Sequence, residues 1–215
     1  MSTPTIARLD PLKLRENVYF SLRDAFTRGD FAPGDVLSLR NLADQLGVSM
    51  TPVREAVRRL VAEGALVDTP SRTLMVPPFD ARRAADLKSA RLALESLVLE
   101  QAMDRITPAD IDALEAILKR PKTGPETLPD LVTNHDFHQT LYRCSKSEVL
   151  LPMIEALWLQ YGAYLNLIIN RPTASMISEH MHHEEILSAL RTGDKDKAQA
   201  ALAADITRSF HVLIP

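Results

Sequence analysis

The stretch from Leu39 to Leu66 reads LRNLADQLGVSMTPVREAVRRLVAEGAL. Leu39, Leu42, Ala43 and Leu46 recur at spacings that line one apolar face of a short helix. Gly47 follows, and its unhindered backbone lets the chain reverse direction, with Val48 packing the turn inward. Ser49 or Thr51 can accept hydrogen bonds from the first amides of a second helix, and Pro52 suits its first turn, where no donor is needed. Val53, Ala56, Val57 and Leu60 form the inner face of that helix, while Thr51, Arg54, Glu55, Arg58 and Arg59 fall outside. Small hydroxyls and long cations at the amino end of a helix are the types that reach base edges and phosphates in a major groove. Two readings stand at this point, an amphipathic hairpin with a solvated charged face or a DNA-reading helix-turn-helix.

The flanking residues favour the second. The run from Leu66 to Val76, LVDTPSRTLMV, has apolar ends around a Thr-Pro-Ser-Arg turn, which predicts two short strands with Arg72 at the tip. Upstream, Leu14, Val18, Leu22 and Phe26 repeat every four residues, and the segment from Gly29 to Gly34, with Pro33, breaks that helix before the hairpin begins. Three helices and a β-wing make a winged helix-turn-helix.

Residues Phe31 to Val76 resemble the amino-terminal domain of the GntR family of transcription regulators, in which a Pro-Gly turn leads to "LA..LGVS...VREA...L...G" and a small wing. Pro33-Gly34, Leu42-Ala43, Leu46 to Ser49, Thr51 to Ala56 and Gly64 occupy those places. The resemblance implies DNA contacts from Arg40, Ser49, Thr51, Arg54 and Arg72, to which the exposed face adds Arg58. Two departures bear on this. Met50 stands where the family usually has arginine before the Thr-Pro pair, and Thr73 replaces the usual wing glycine. Residues 1–80 hold as many acids as bases, so placement matters more than total charge: Arg40, Arg54, Arg58, Arg59 and Arg72 are expected on one surface, with Asp30, Asp35 and Asp68 in turns. A weakly charged single module releases few counterions, so two such faces acting together, a homodimer on an inverted repeat of double-stranded DNA, are expected.

The chain has 215 residues, 46% hydrophobic, with a formal net charge of −3, enough for two domains. The boundary is expected at the double proline Pro77-Pro78, giving a winged helix-turn-helix in residues 1–78 and an all-helical domain in 79–215. No apolar run approaches the roughly 20 residues of a membrane span, and no signal-peptide pattern opens the sequence, so a cytoplasmic location is expected. Cys144 is the single cysteine, which rules out an intrachain disulfide and a thiolate metal cluster; a packing role suits it better than a nucleophilic one.

Beyond the boundary, periodicity predicts six helices: Ala81 to about Arg105 capped by Asp80, one opened by Thr107-Pro108, Asp130 to Arg143, a very apolar Val149 to Ile169, Ser175 to Leu190, and Lys195 to about Leu213. A loop, PKTGPETLP, occupies 121–129. Six such helices resemble the FCD effector-binding domain that accompanies the FadR branch of the GntR family, in the shorter form of the VanR subgroup. Arg91 and Glu95 in SARLALE, His138 in NHDFH and His183 in HEEILSAL fall on its motifs.

In many FCD domains an Asp or Asn and three histidines bind a divalent metal beneath the effector. The resemblance places Asn134, His138, His183 and Asp205 here, Asp205 standing where the family has histidine. Imidazole suits Zn or Ni and carboxylate suits Mn, whereas Asn is a weak ligand; the other reading of this set is a hydrogen-bonded cluster without metal. No organic cofactor is expected. His180 could join the His183 face, His135 and His182 are expected to face solvent, and His211 lies off the stripe. Arg91 could pair with Glu95 one turn away, at the surface, or bind an anion, as the resemblance implies. Tyr161, Tyr164 and Asn166 interrupt the most apolar helix, either bonding within the core or meeting a polar ligand. Together these features describe a transcription regulator, a repressor, controlled by a small carboxylate metabolite. A metal hydrolase or metal sensor built on His138, His183 and Asp205, and an adaptor for partner helices, are the alternatives.

Overall fold

The computed structural model describes residues 11–69, 73–122, 129–171, 180–211 and 213. The head comprises α1 (Pro11–Thr27), β1 (Val36–Leu37), α2 (Leu39–Leu46), α3 (Met50–Ala62), β2 (Val67–Asp68) and β3 (Leu74–Met75). Ser38 caps α2 by accepting a bond from the Asn41 amide, and Gly47 ends it at φ 65°, its N–H turned back onto the Ala43 and Asp44 carbonyls. Val53, Ala56, Val57 and Leu60 of α3 pack against Val18, Tyr19, Leu22 and Phe26 of α1 in one buried cluster. The wing strands β2 and β3 pair antiparallel, with Val67 opposite Met75. A third strand, β1, joins on the other edge of β3, with Val36 opposite Met75; at two residues it is too short to leave a period-two signature.

Among the described residues six helices follow: α4 (Ala81–Met103), α5 (Pro108–Leu118), α6 (Leu131–Arg143), α7 (Leu150–Ile169), α8 (Met181–Thr192) and α9 (Lys195–His211). Their starts are chemically marked. Asp80 caps α4, Asp130 caps α6, and Thr107 with Asp110 forms a capping box on α5. Residues 172–179, where the expected Ser175 start falls, lie outside the described residues. The second core gathers Leu87, Val98 and Leu99 of α4, Phe137 and Leu141 of α6, Trp158 and Leu165 of α7 and Leu202 and Phe210 of α9. Among the described residues no helix is long and apolar enough to cross a membrane.

Helix α7 belongs to both halves. Its Leu159 and Ala163 are buried in the head's cluster, and a Cβ on Gly162 would overlap the Phe26 carbonyl, so the backbones of α1 and α7 touch there. Asn166 Nδ2 donates to the Gly29 carbonyl at 2.7 Å, and Gln160 Nε2 to the Glu63 carbonyl at 3.0 Å. Arg83 of α4 completes the seam, donating to the Gly64 carbonyl at 3.0 Å and to Gln160 Oε1 at 2.9 Å. These bonds satisfy carbonyls left unpaired just beyond the carboxyl ends of α1 and α3, and the cation suits the negative end of the α3 dipole.

Candidate nucleic-acid interface and candidate metal centre

On the head, Arg40 of α2 and Arg54 and Arg58 of α3 line one open groove, closed on the wing side by Asp68 and Thr73. Among the described residues none of these three arginines has an acidic partner within 4 Å. Ser49 and Thr51 are exposed at the amino end of α3. The Ser49 backbone takes the N-cap position, but its hydroxyl makes no capping bond. Met50 beside them is exposed. Arg72 lies outside the described residues.

Arg59 does not share this surface, contrary to the expectation. Its guanidinium stacks 3.7 Å from the Tyr19 ring centre and its Nε bonds Glu63 Oε1 at 2.9 Å, while the Tyr19 hydroxyl donates to Glu63 Oε2 at 2.8 Å. Neighbouring helix positions diverge by roughly 100°, which turns Arg59 onto α1 while Arg58 faces outward. Glu55 is also engaged, paired with Arg15 of α1 at 2.9 Å.

Inside the bundle, α6, α8 and α9 bring His138, His183 and Asp205 together, all buried. His138 Nε2 lies 3.1 Å from Asp205 Oδ2 and 3.2 Å from His183 Nε2, and the third side of the triangle is 4.0 Å. A point equidistant from the three atoms is about 2.0 Å from each, the length of ordinary Zn–N and Zn–O bonds. Burial, then the neighbouring His138, lower the His183 pKa to about 3, so that ring is neutral at pH 7. Burial raises Asp205, but its contact with His138, and then His183 and Arg208, outweighs it and holds the carboxyl below its ordinary value. A neutral imidazole and a carboxylate are the forms that ligate metal. The set therefore fits a divalent ion.

Around the triangle the residues are tied down. His183 Nδ1 faces His180 Nδ1 at 3.3 Å, so His180 does join that face. Arg208 donates to Asp205 Oδ1 at 2.9 Å. On the far side of His138, Nδ1 meets the Tyr142 hydroxyl at 3.0 Å, and that hydroxyl donates to Glu95 Oε2 at 2.5 Å. Tyr142 follows His138 by one helical turn, which the spacing alone could have revealed.

A cavity of about 60 Å³ opens beside the triangle, lined by Asn134, Asp205, Arg208 and Ser209 at its polar end and by Trp158, Tyr161 and Leu165 on its apolar wall. Asn134 and Tyr161 thus face it. Arg91 also lines it, but the guanidinium is engaged: it forms two bonds to Glu95, at 2.6 and 3.2 Å, and lies 4.4 Å from the Trp158 and 4.3 Å from the Tyr161 ring centre. Of the two readings of Arg91, the pair with Glu95 forms, but in the core and not at the surface, with side chains 2% and 0% exposed, and the anion-binding role is left to a guanidinium already bonded. Tyr164 and Asn166 do not line this cavity. Tyr164 packs edge-on against Phe79 at 5.6 Å, and Asn166 bonds the head. On α7, positions 158, 161, 165 and 168 form the cavity stripe and 159, 160, 163 and 166 the seam. His135, expected to face solvent, packs against Trp158 at 5.6 Å, and burial above all lowers its pKa to about 4. His182 is likewise half-buried and bonds Glu185 at 2.8 Å.

A winged helix with unpaired arginines, bonded to a helical bundle that encloses a cavity, defines a two-domain DNA-binding transcription regulator. The chain belongs to the GntR family: residues 14–75 match the model described as bacterial regulatory proteins, gntR family, and residues 86–208 match the FCD domain. It is 29% identical over 214 residues to the HTH-type transcriptional regulator McbR of Escherichia coli K12, covering 98% of this chain and 97% of that one. The Nta operon transcriptional regulator of Aminobacter aminovorans is 27% identical over 86% of this chain and 87% of its own. The solved structure of E. coli McbR/YncC superposes with a TM-score of 0.85 at 30% identity, over 93% of this chain and 96% of that one. These relatives are regulators, and this chain is a regulator rather than an enzyme.

Proposed function

We propose that the protein is a cytoplasmic repressor, a homodimer that grips an inverted repeat through paired α3 helices and releases it when a small organic acid enters the cavity of the bundle. The residues divide at the double proline, 1–78 reading DNA and 79–215 binding the effector and the second subunit. The observation that carries this reading is the double use of α7: one face walls the cavity and the opposite face bonds the head. A guest that fits one placement of α7 better than another thereby changes how the head is held, which is the differential binding energy that regulation requires.

Ser49, Thr51, Arg40, Arg54 and Arg58 meet the DNA in this reading, with Arg72 of the wing. His138, His183 and Asp205 hold a divalent ion (Zn, Ni or Mn), with Asn134 beside them. The ion would supply a positive charge and open positions for an effector carboxylate. Asn134, Ser209 and Tyr161 orient the guest, and Trp158 and Leu165 exclude water from it. A gel shift with the promoter of the protein's own operon tests the head: Arg54→Ala abolishes the shift while the helical content stays unchanged. Equal binding by the variant overturns the assignment of α3.

A further inference from the structure

We propose that Tyr142, held by Glu95, fixes the proton of His138 on Nδ1 and so keeps the Nε2 lone pair aimed at the His183–Asp205 position; Tyr142 is a positioning residue for a metal ligand. The proposal deepens the metal reading above and rests on it.

The bonds around Tyr142 leave little choice. Glu95 takes two bonds from the Arg91 guanidinium, so it stands as a carboxylate that can accept but not donate. The 2.5 Å contact from the Tyr142 hydroxyl therefore carries the phenol proton toward Glu95. What remains on the hydroxyl is a lone pair, and it faces His138 Nδ1 at 3.0 Å. That nitrogen must carry hydrogen. A ring protonated at Nδ1 coordinates through Nε2, the atom 3.1 Å from Asp205 Oδ2 and 3.2 Å from His183 Nε2.

The other tautomer is chemically open without the phenol. Nε2–H would donate to the Asp205 carboxylate, a charge-assisted bond, and the nitrogen that should bind metal would be blocked. Tyr142 removes that option by giving Nδ1–H an acceptor in an otherwise buried place. Glu95 holds Tyr142, and Arg91 holds Glu95 from the cavity wall, clamped between Trp158 and Tyr161.

Two measurements test this. Long-range ¹⁵N–¹H correlation spectra of the metal-free full chain at pH 8 should show His138 protonated at Nδ1; in Tyr142→Phe the proton should move to Nε2. Zn²⁺ affinity, read by chelator competition, should fall about 10- to 100-fold in Tyr142→Phe. A parent spectrum with the proton on Nε2 overturns the proposal without any variant having to fold. So does a folded Tyr142→Phe with unchanged tautomer and unchanged Zn²⁺ affinity. If the parent binds none of Zn²⁺, Ni²⁺ and Mn²⁺ the metal reading fails, and the tautomer of the parent and its variant still decides the role of Tyr142.

Discussion

The arginines of the head and those of the bundle are used in opposite ways. Arg40, Arg54 and Arg58 stand exposed in one groove and, among the described residues, form no ion pair. Arg91 and Arg208 lie against the cavity, each bonded to an acid of its own domain, Glu95 and Asp205. A cation without a partner on the protein keeps its full charge for a phosphate from outside. A cation already given two carboxylate bonds in the core has little left for a guest, and its removal from water is compensated by that built-in partner. Under the function proposed above, an organic acid in the cavity would therefore be better served by a metal held at the triangle than by Arg91.

The largest effect should come from breaking the internal pair. Glu95→Leu leaves the Arg91 charge buried and uncompensated and should cost about 3–5 kcal/mol of unfolding free energy. The double variant Arg91→Met/Glu95→Leu should recover most of that loss, because both charges go together. Urea denaturation of the two variants decides the matter. A loss below about 1 kcal/mol, the range of exposed ion pairs, for the single change would mean the pair is solvated and the contrast with the head is false.

Next in size is the seam. Gly162→Ala places a methyl group against the Phe26 carbonyl, a backbone atom that cannot swing aside. Overpacking of this kind costs about 1–3 kcal/mol. The head should loosen from α7, seen as faster hydrogen exchange at Gly29 and Gly64, with the bundle's protection kept. Unchanged exchange at those two amides would show that α7 does not hold the head.

How far the sequence could be read follows the range of the forces involved. Helices α4 to α7 and α9 announce themselves through local signals, caps such as Asp80, Thr107 and Asp130 and apolar spacing within one turn. The approach of His138, His183 and Asp205 was legible through family motifs, since nothing local links residues 67 apart. The seam had no such signal. Asn166 and Tyr164 look like ligand groups because they interrupt an apolar helix, yet what satisfies Asn166 is the Gly29 carbonyl, 137 residues away. Arg59 misled for the opposite reason. A cation on an outward helix position reads as solvated until Tyr19 and Glu63 are seen beneath it.

Acidification gives a graded effect on the bundle of the metal-free protein. The folded pKa values of His135 and His183, about 4 and about 3, lie below the ordinary 6.5. Between those values and 6.5 the unfolded chain binds protons that the folded chain refuses, so stability is complete above pH 6.5 and falls as pH drops. Each histidine contributes a slope of at most about 1.4 kcal/mol per pH unit. Denaturation midpoints at pH 7.5, 6 and 5 should decline in that order, and His135→Gln should flatten the decline. A profile with no slope over this interval would place both rings in water.

The smallest effect returns to the head. Arg59→Ala removes a cation one residue from Arg58, and if α3 met DNA by total charge alone the two would be interchangeable. The structure separates them. Arg59 stacks on Tyr19 and bonds Glu63, so its loss should cost about 0.5–1 kcal/mol of stability, with operator affinity and its salt dependence nearly unchanged. Arg58→Ala should leave stability alone and lower the slope of log affinity against log salt by about 1 per half-site if it meets a phosphate. Fluorescence anisotropy with operator DNA at several salt concentrations, run beside thermal melts, distinguishes them. If Arg59→Ala lowers the salt slope as Arg58→Ala does, both faces of α3 touch DNA and the division drawn between reserved and committed arginines fails within the head itself.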